Sequence, residues 1–302
     1  MAKSLADSFT EHNPDYHFII GLVDKWNDSI KRNHFEKYEI IEVEKLNNVA
    51  SFSEMSKKYK VFELCFAMKP FFADYLLNKY ESAEYILYFD SDIYFFNSIS
   101  HLETTFKKSS VTIAPHITKP ANDNSYTENL VKISGMYNAG FFVVNRSGES
   151  AKFLKWWQEK LTNFCYGATG DQEWLSFLPL FFDKVTILND SGINVAHWNL
   201  NERFLSSIDN LYIMNDEDKL VFYHYSGFNY KKPDIISSHY KAKYTSEKEL
   251  IKLLHTIANS LDTNNSLINC TNVKSYYGTI ESSYSKILTF LILALNKMKK
   301  KL

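Results

Sequence analysis

Two aspartates, Asp90 and Asp92, are separated by one residue at the end of an apolar run. The run, residues 85–89, is continuously apolar, which predicts a strand buried on both faces of a parallel sheet. Open α/β sheets bind their ligands at the carboxyl ends of such strands. Carboxylates are costly to bury unless a cation neutralises them, and a divalent ion shared with a substrate diphosphate would do so. The alternative is an Asp-rich turn that binds nothing.

Three further groups of polar and small residues follow in the chain. They are Tyr137-Asn138-Ala139-Gly140, Gly170-Asp171-Gln172, and His224-Tyr225-Ser226-Gly227 with Lys231-Lys232-Pro233. Each has a structural interpretation beside a chemical one. His224 could be a core histidine at a strand end, Asn138 a turn residue, and Asp171 a helix cap. His197 and Trp198 are interpreted as packing residues.

The elements that must position these groups alternate between strands and helices. Apolar runs predict strands over residues 17–23, 38–43, 85–89, 111–114, 141–144, 185–188 and 220–225. Helical spacing predicts helices over residues 2–9, 53–60, 61–80, 151–161 and 246–261, and a further helix beginning near residue 171. The polar residues 118–134 predict an active-site loop or lid. This alternation predicts an α/β fold whose central sheet is mostly parallel and flanked by helices.

Beyond residue 234 the composition changes, which predicts a main domain over 1–234 and a helical extension over 235–302. Residues 287–295 are apolar and are followed by four lysines, Lys297, Lys299, Lys300 and Lys301. That pattern predicts an amphipathic helix suited to an anionic membrane surface, too short to span a bilayer. The alternative is a C-terminal helix docked on the body.

Composition narrows the function classes. The 34 Lys and Arg residues nearly balance 35 Asp and Glu residues, so no basic field points to nucleic acid. Cys65, Cys165 and Cys270 are isolated, which favours a reducing compartment and no zinc site. The sequence opens without a secretory signal and has no apolar run near the ~20 residues of a membrane span. We therefore expect a cytoplasmic protein with peripheral contact at the inner face of the membrane.

In their order and spacing, the four groups resemble the motifs of nucleotide-sugar glycosyltransferases of the GT-A (Rossmann-like) fold. The closest resemblance is to the family 8-like group, of the bacterial surface-polysaccharide type, over residues 2–234. It implies metal-dependent transfer of a sugar from a nucleotide diphosphate donor, a UDP-sugar, to a glycan or lipid-linked acceptor. It also implies that Asp90, Asp92 and His224 hold Mn²⁺ or Mg²⁺, the imidazole favouring Mn²⁺.

The resemblance implies roles for the other residues as well. Those carried over as donor-binding are Asn138, Ala139, Gly140, Gly227, Lys231 and Lys232, the lysines neutralising the leaving diphosphate. Asp171 and Gln172 are carried over as catalytic residues at the reacting sugar. The family implies retention of anomeric configuration, whereas Asp171 as a base would suit inversion.

Two departures from the family pattern leave an alternative open. Family members begin with a strand that helps to hold the nucleotide base, whereas this sequence starts at the following helix. The His224 segment carries one extra residue, so Lys231 and Lys232 compete for one role. The alternative is an inactive glycosyltransferase fold that acts as a binding or scaffold protein. An aspartyl phosphohydrolase is disfavoured, because Tyr94 stands where that class needs a small or hydroxyl residue.

Overall fold

The computed structural model describes residues 1–27, 30, 32–47, 49–121, 126–209, 211–239, 247–268, 275–278 and 290–295. The α-helices are α1 Ala2–His12, α2 Phe52–Lys58, α3 Val61–Lys79, α4 Glu103–Lys108, α5 Tyr126–Ser134, α6 Gly148–Phe164, α7 Leu178–Phe181 and α8 Lys248–Ile268. The strands are β1 His17–Leu22, β2 Glu39–Glu42, β3 Tyr85–Asp90, β4 Ile93–Phe95, β5 Val111–Pro115, β6 Tyr137–Asn145, β7 Val185–Ile187, β8 Leu205–Ile208, β9 Leu211–Met214, β10 Asp218–Lys219, β11 Phe222–His224 and β12 Phe290–Leu295.

A central sheet orders its strands β2-β1-β12-β3-β6-β5-β7. The β1/β2 and β5/β7 pairs are parallel, and the other neighbouring pairs are antiparallel. It follows that β1, β2, β3, β5 and β7 run in one direction, whereas β6 and β12 run in the other. The predicted α/β class with a central sheet flanked by helices is confirmed; five of the seven strands run in one direction, although only two of the six neighbouring pairs are parallel.

The residues of β3 alternate between two apolar clusters, one on each face of the sheet. Ile86 and Tyr88 belong to the cluster covered by α3 and α6, while Leu87 and Phe89 belong to the cluster covered by α1 and α4. Burying a large apolar side chain stabilises the fold by ~1.5–3 kcal/mol, so both faces fix the position of this strand. Asp90 is therefore carried on a rigid element at the edge of the core.

Two smaller sheets lie outside the central sheet. Strands β8, β9 and β10 form one of them, and β4 and β11 pair in the other. The β4/β11 pairing is antiparallel and sets His224 opposite Ile93, the residue after Asp92. The predicted strand over residues 220–225 thus lies outside the central sheet, where it brings His224 to the end of β3.

The predicted loop over residues 118–134 is partly wrong. Its second half forms the helix α5, and residues 122–125 lie outside the described residues. Leu130 and Val131 of α5 face the cavity described below, so the helix is stabilised by one apolar contact face on a mostly polar segment. The segment still borders the candidate site.

The predicted apolar helix over residues 287–295 is wrong where the structure describes it. Residues 290–295 form β12, which pairs with β1 on one side and β3 on the other. A short Leu- and Ile-rich run suits a buried strand as well as a helix, and here two strand edges satisfy its backbone groups. Residues 279–289 and the lysine-rich residues 296–302 lie outside the described residues, as does Cys270.

The long helix α8 confirms the helix predicted over residues 246–261 where it is described. Asn264 donates to the Ser4 hydroxyl at 2.9 Å, which ties α8 to α1. Leu253 and Ile257 share an apolar cluster with Tyr223 of β11. Among the described residues, no helix has the length and apolarity that crossing a bilayer requires. The division of the chain at residue 234 stays a prediction.

Candidate active site

A cavity of about 540 Å³ opens at the carboxyl end of β3. Of the predicted site residues, it is lined by Asp90, Asp92, Asn138, Asp171, Gln172, His224 and Gly227. Ala139 is buried behind this lining, and Gly140 lies against Asp90 and His224. Lys231 and Lys232 are exposed on the turn that follows Gly227, outside the lining. The fold thus gathers three of the four sequence groups, together with the start of the fourth.

Asp90, Asp92 and His224 offer ligand atoms that all lie within 4.8 Å of one another. Nε2 of His224 is 3.2 Å from Oδ1 of Asp92. Burial would raise the pKa of the Asp92 carboxyl, but the neighbouring imidazole of His224 lowers it overall. Two carboxylates and one imidazole form a donor set that suits Mn²⁺.

The backbone of β6 leaves room for an ion beside these ligands. A Cβ atom placed on Gly140 would lie 2.9 Å from Oδ2 of Asp90 and 2.5 Å from Cε1 of His224. Any other residue at this position would therefore push the ligands apart. Because glycine keeps the three side chains within reach of one centre, the residues fit a divalent cation.

Lys69 of α3 is a site residue that sequence reasoning missed. It is 1% exposed, and its Nζ lies 2.6 Å from Oδ2 of Asp171 and 3.1 Å from Oδ1 of Asp90. Nζ also donates to the Ala139 carbonyl at 3.1 Å. Burial would lower the pKa of Lys69, but the two carboxylates raise it above its ordinary value. The signal was present in the sequence, since Lys69 follows Cys65 by one helical turn on the buried face of α3.

Asp171 is buried against this lysine and does not cap a helix. The residues after it form a 3₁₀ turn, Glu173–Phe177, whose N-cap is Gln172, so the cap interpretation is wrong. Burial raises the pKa of the Asp171 carboxyl, and Lys69 opposes that rise. One lysine charge faces the carboxylates of Asp90 and Asp171, with Asp92 close by. This excess of negative charge is a second reason why a cation fits here.

Two amide side chains of the cavity lining, those of Asn138 and Gln172, hydrogen-bond each other. Nδ2 of Asn138 donates to Oε1 of Gln172 at 3.3 Å and lies 3.3 Å from Nε2 of His116. Gln172 Oε1 also accepts from the backbone N–H of Ala139 at 3.3 Å. Asn138 and Gln172 therefore hold each other in fixed orientations at the place where the resemblance expects a sugar.

His116 is a second residue that sequence reasoning missed. It directly follows β5, and Asp90 likewise ends β3, so the strand-end rule applied to Asp90 would have found His116. Burial lowers its pKa to about 4, which keeps the imidazole neutral near pH 7.

His197 and Trp198 do pack, and both also line the cavity. The Trp198 ring lies 5.1 Å from the His224 ring and 5.4 Å from the His116 ring, in edge-on contacts. Burial lowers the pKa of His197 to about 3. Next to them, Asn194 is fully buried and hydrogen-bonds both His224 and Asn138.

No family model matches this chain. It is 29% identical over 172 residues to YfnF of Bacillus subtilis (strain 168), an alignment that covers 55% of this chain and 57% of that protein. It is 25% identical over 230 residues to YfnD of the same organism, covering 73% of this chain and 71% of that protein. Both proteins are described as uncharacterized. The chain thus spans little more than half the length of YfnF.

The solved structures that are similar to this one include several glycosyltransferases. The galactosyltransferase LgtC, in complex with donor and acceptor sugar analogues, is 15% identical with a TM-score of 0.48, covering 86% of this chain and 91% of that one. A glycosyltransferase involved in glycosylation of the major capsid of PBCV-1 is 12% identical with a TM-score of 0.42, covering 74% and 84%. Mouse xyloside xylosyltransferase 1, apo form, is 11% identical with a TM-score of 0.42, covering 74% and 90%.

Proposed function

We propose that this chain is a metal-dependent glycosyltransferase that moves a sugar from a nucleotide diphosphate donor, a UDP-sugar, to a glycan or lipid-linked acceptor. The observation that supports it best is the cluster of Asp90, Asp92 and His224 at the end of β3, beside uncompensated carboxylate charge. The cavity volume of about 540 Å³ lies within the ~300–1,000 Å³ typical of small-molecule sites.

In this proposal Asp90, Asp92 and His224 hold Mn²⁺ or Mg²⁺. When bound, the ion supplies positive charge that neutralises the departing diphosphate. Gly140 keeps space open beneath the ligands, while Asn138 presents its amide to the donor sugar. These groups are already fixed by hydrogen bonds, so they lose little freedom when the donor binds.

Asp171 and Gln172 act at the reacting sugar in this proposal. Lys69 holds the Asp171 carboxylate in one place, and the Gln172 amide is held by Asn138 and by the backbone of Ala139. We propose retention because the resemblance to family 8-like glycosyltransferases implies it and because Oδ2 of Asp171 is already engaged by the Lys69 ammonium at 2.6 Å.

Lys231 and Lys232 are proposed partners of the leaving diphosphate. They stand on the exposed turn that follows Gly227, and Gly227 lines the cavity with a positive φ of 71°. Their long, flexible stems carry point charges, which suits a phosphate that arrives only with the donor. The family motif has a single lysine at this point, and in this proposal either Lys231 or Lys232 takes its role.

The test of the reaction is a donor screen. UDP-sugars are compared by thermal shift with Mn²⁺, and the stabilising donor is then incubated with candidate acceptors. We expect transfer, or slow hydrolysis of the donor, that depends on Mn²⁺, with nuclear magnetic resonance showing retained anomeric configuration in the product. Donor binding without transfer or hydrolysis would favour the scaffold alternative, and no response to any UDP-sugar would contradict the proposal.

We further propose that the protein contacts an anionic membrane through an aromatic patch beside the cavity. The patch consists of Phe164, Trp174, Phe177, Leu180 and Phe181. Leu180 is 77% exposed and Phe181 56% exposed, and the Lys160 ammonium lies 5.7 Å from the Trp174 ring. Exposed aromatic rings with a neighbouring lysine suit a bilayer interface. Trp174 of the patch lies two residues after Gln172 of the cavity lining, so such contact would present the cavity to a lipid-linked acceptor.

A further inference from the structure

Asn194 stands between the proposed metal ligand His224 and the proposed sugar-binding residue Asn138. We infer that its carboxamide is the positioning group that couples the metal site to the donor-sugar site. The inference rests on the proposed function, since it concerns residues of the same site. Asn194 contacts neither the ion nor the sugar in this scheme, so it acts through its two neighbours.

One half of the carboxamide orients His224. Oδ1 of Asn194 lies 3.1 Å from Nδ1 of His224. An amide oxygen only accepts hydrogen bonds, so the imidazole carries a proton on Nδ1. In the neutral ring this leaves the lone pair on Nε2, the atom that lies 3.2 Å from Oδ1 of Asp92. The hydrogen bond thus selects the tautomer and ring orientation that a metal ligand needs.

The other half orients Asn138. Nδ2 of Asn194 donates to Oδ1 of Asn138 at 3.3 Å, and the same oxygen accepts from the Gly140 N–H at 3.1 Å. A flipped Asn138 would bring its NH₂ against these two donors. Its Nδ2 is therefore directed at Gln172 and His116. Asn194 in this way sets the face that Asn138 presents to the donor sugar.

The backbone at Asn194 holds this bridge in place at some conformational cost. Its φ is 55°, in the left-handed region that few residues other than glycine adopt and that asparagine tolerates best. Asn199 donates to the Asn194 carbonyl at 3.0 Å, and the N–H of His224 donates to the Val195 carbonyl at 2.8 Å. A merely structural explanation would be that asparagine is present only for its φ.

Two variants separate these explanations. Asn194→Gly accepts the positive φ without strain but removes both side-chain hydrogen bonds. Asn194→Asp keeps an acceptor for His224 and tolerates the same φ, but it cannot donate to Asn138. Binding of Mn²⁺ alone, measured by calorimetry, reports on His224. The ratio of the dissociation constants of UDP and the UDP-sugar, measured with saturating Mn²⁺, reports on Asn138.

We expect Asn194→Gly to weaken Mn²⁺ binding by about 10- to 100-fold, the range found when groups that orient metal ligands are removed. Asn194→Asp should stay within about threefold of wild type for Mn²⁺. Both variants should lose most of the preference for the UDP-sugar over UDP. Asn13→Ala serves as the control, because Asn13 is also buried and accepts from the Ile99 N–H at 3.0 Å, away from the cavity. It should lower the melting temperature and leave both binding measurements unchanged.

The inference is overturned if folded Asn194→Gly binds Mn²⁺ within twofold of wild type and keeps its donor preference. If that variant does not fold, unchanged donor preference in Asn194→Asp overturns the coupling to Asn138. A wild-type protein that binds no Mn²⁺ would instead defeat the proposed function, and with it the metal that His224 is positioned to bind. The two failures are therefore distinguishable by the wild-type titration.

Discussion

At the scale of single residues, the site is dominated by charge. Asp90 and Asp171 share the ammonium of Lys69, and neither carboxylate has the lysine to itself. Removing one partner of a buried ion pair is far more costly than removing a surface pair, because the remaining charge stays buried without compensation. The proposed cation would neutralise the remaining negative charge. Without it, the Lys69 ammonium is the positive group that lies between the two carboxylates.

Lys69→Met should therefore destabilise the protein strongly. We expect the free energy of unfolding in urea to fall by about 3–5 kcal/mol, the range for breaking a buried pair. The matched control is Lys79→Met, which breaks a half-exposed pair with Glu39 and should cost at most about 1 kcal/mol. Equal costs in the two variants would show that the buried network contributes little to stability.

His116 predicts a particular dependence of stability on pH. Its pKa is lowered to about 4 in the folded protein from an unfolded value of 6.5, because burial disfavours the charged imidazole. Its contribution to stability is thus complete above pH 6.5 and is lost as the pH falls toward 4. We expect His116→Gln to lose about 2 kcal/mol less unfolding free energy than wild type between pH 7 and pH 5.

His101→Gln is the control of opposite sign. Asp190, 2.9 Å away, raises the pKa of His101, so that histidine stabilises the fold below pH 6.5 and the stabilisation is lost as the pH rises. We expect His101→Gln to lose slightly more unfolding free energy than wild type as the pH falls from 7 to 5. Parallel pH profiles for wild type and His116→Gln in urea unfolding would contradict a neutral, buried His116.

The metal-ligand candidates could be predicted from the sequence, whereas the pairing of Lys69 with Asp171 could not. Asp90 and Asp92 follow an unambiguous strand, and His224 stands in a motif that the resemblance supplied. Lys69 and Asp171 lie far apart in the sequence, and only the tertiary packing that sets the turn after α6 beside α3 brings them together. Pairing between distant residues leaves no local pattern, which is why Asp171 could be interpreted as a cap.

At the scale of elements, the strand β12 matters most for the integrity of the central sheet. It pairs with β1 and β3 through six and five residue pairs, so it joins the two parts of the central sheet. Leu291 pairs with Asp90, which places the strand directly beside the candidate metal site. The unpaired edges left without it would be templates for aggregation.

Deleting residues 290–302 should therefore cause aggregation or a large fall in melting temperature, whereas deleting residues 296–302 should change neither. Size-exclusion chromatography and thermal unfolding measure both outcomes. The interpretation of residues 287–295 as a surface helix would instead predict that the first deletion leaves a folded, monomeric protein. A monomeric chain ending at residue 289 with a wild-type melting temperature would contradict the role of β12.

Elements were predicted well where local patterning decides and poorly where distant pairing decides. Strands β1, β3 and β5 have apolar runs flanked by polar residues, and the helix α3 is an apolar-rich segment of 19 residues, too long for a single strand. The run at residues 287–295 has no such distinguishing feature, because Leu and Ile fit either structure. Only the gap between β1 and β3 selects the extended form.

At the scale of the whole molecule, the exposed aromatic patch gives a test of membrane contact. Replacing Leu180 and Phe181 by serine should lower recovery of the protein with vesicles containing anionic lipid in a sedimentation assay. The control is Leu267→Ser, since Leu267 is 50% exposed on α8. Equal vesicle recovery of wild type and the double variant would argue against the patch as the membrane contact.

The central claim is that Asp90, Asp92 and His224 form one metal site that binds the diphosphate of a nucleotide sugar. Calorimetric titration of a UDP-sugar into wild type and Asp92→Asn, with and without Mn²⁺, tests it most directly. Asp183→Asn, at an exposed aspartate outside the cavity, is the control. We expect Mn²⁺-dependent donor binding in wild type and in the control, and its loss in a folded Asp92→Asn protein. Unchanged donor affinity in Asp92→Asn, or binding in wild type that is indifferent to Mn²⁺, would contradict the claim.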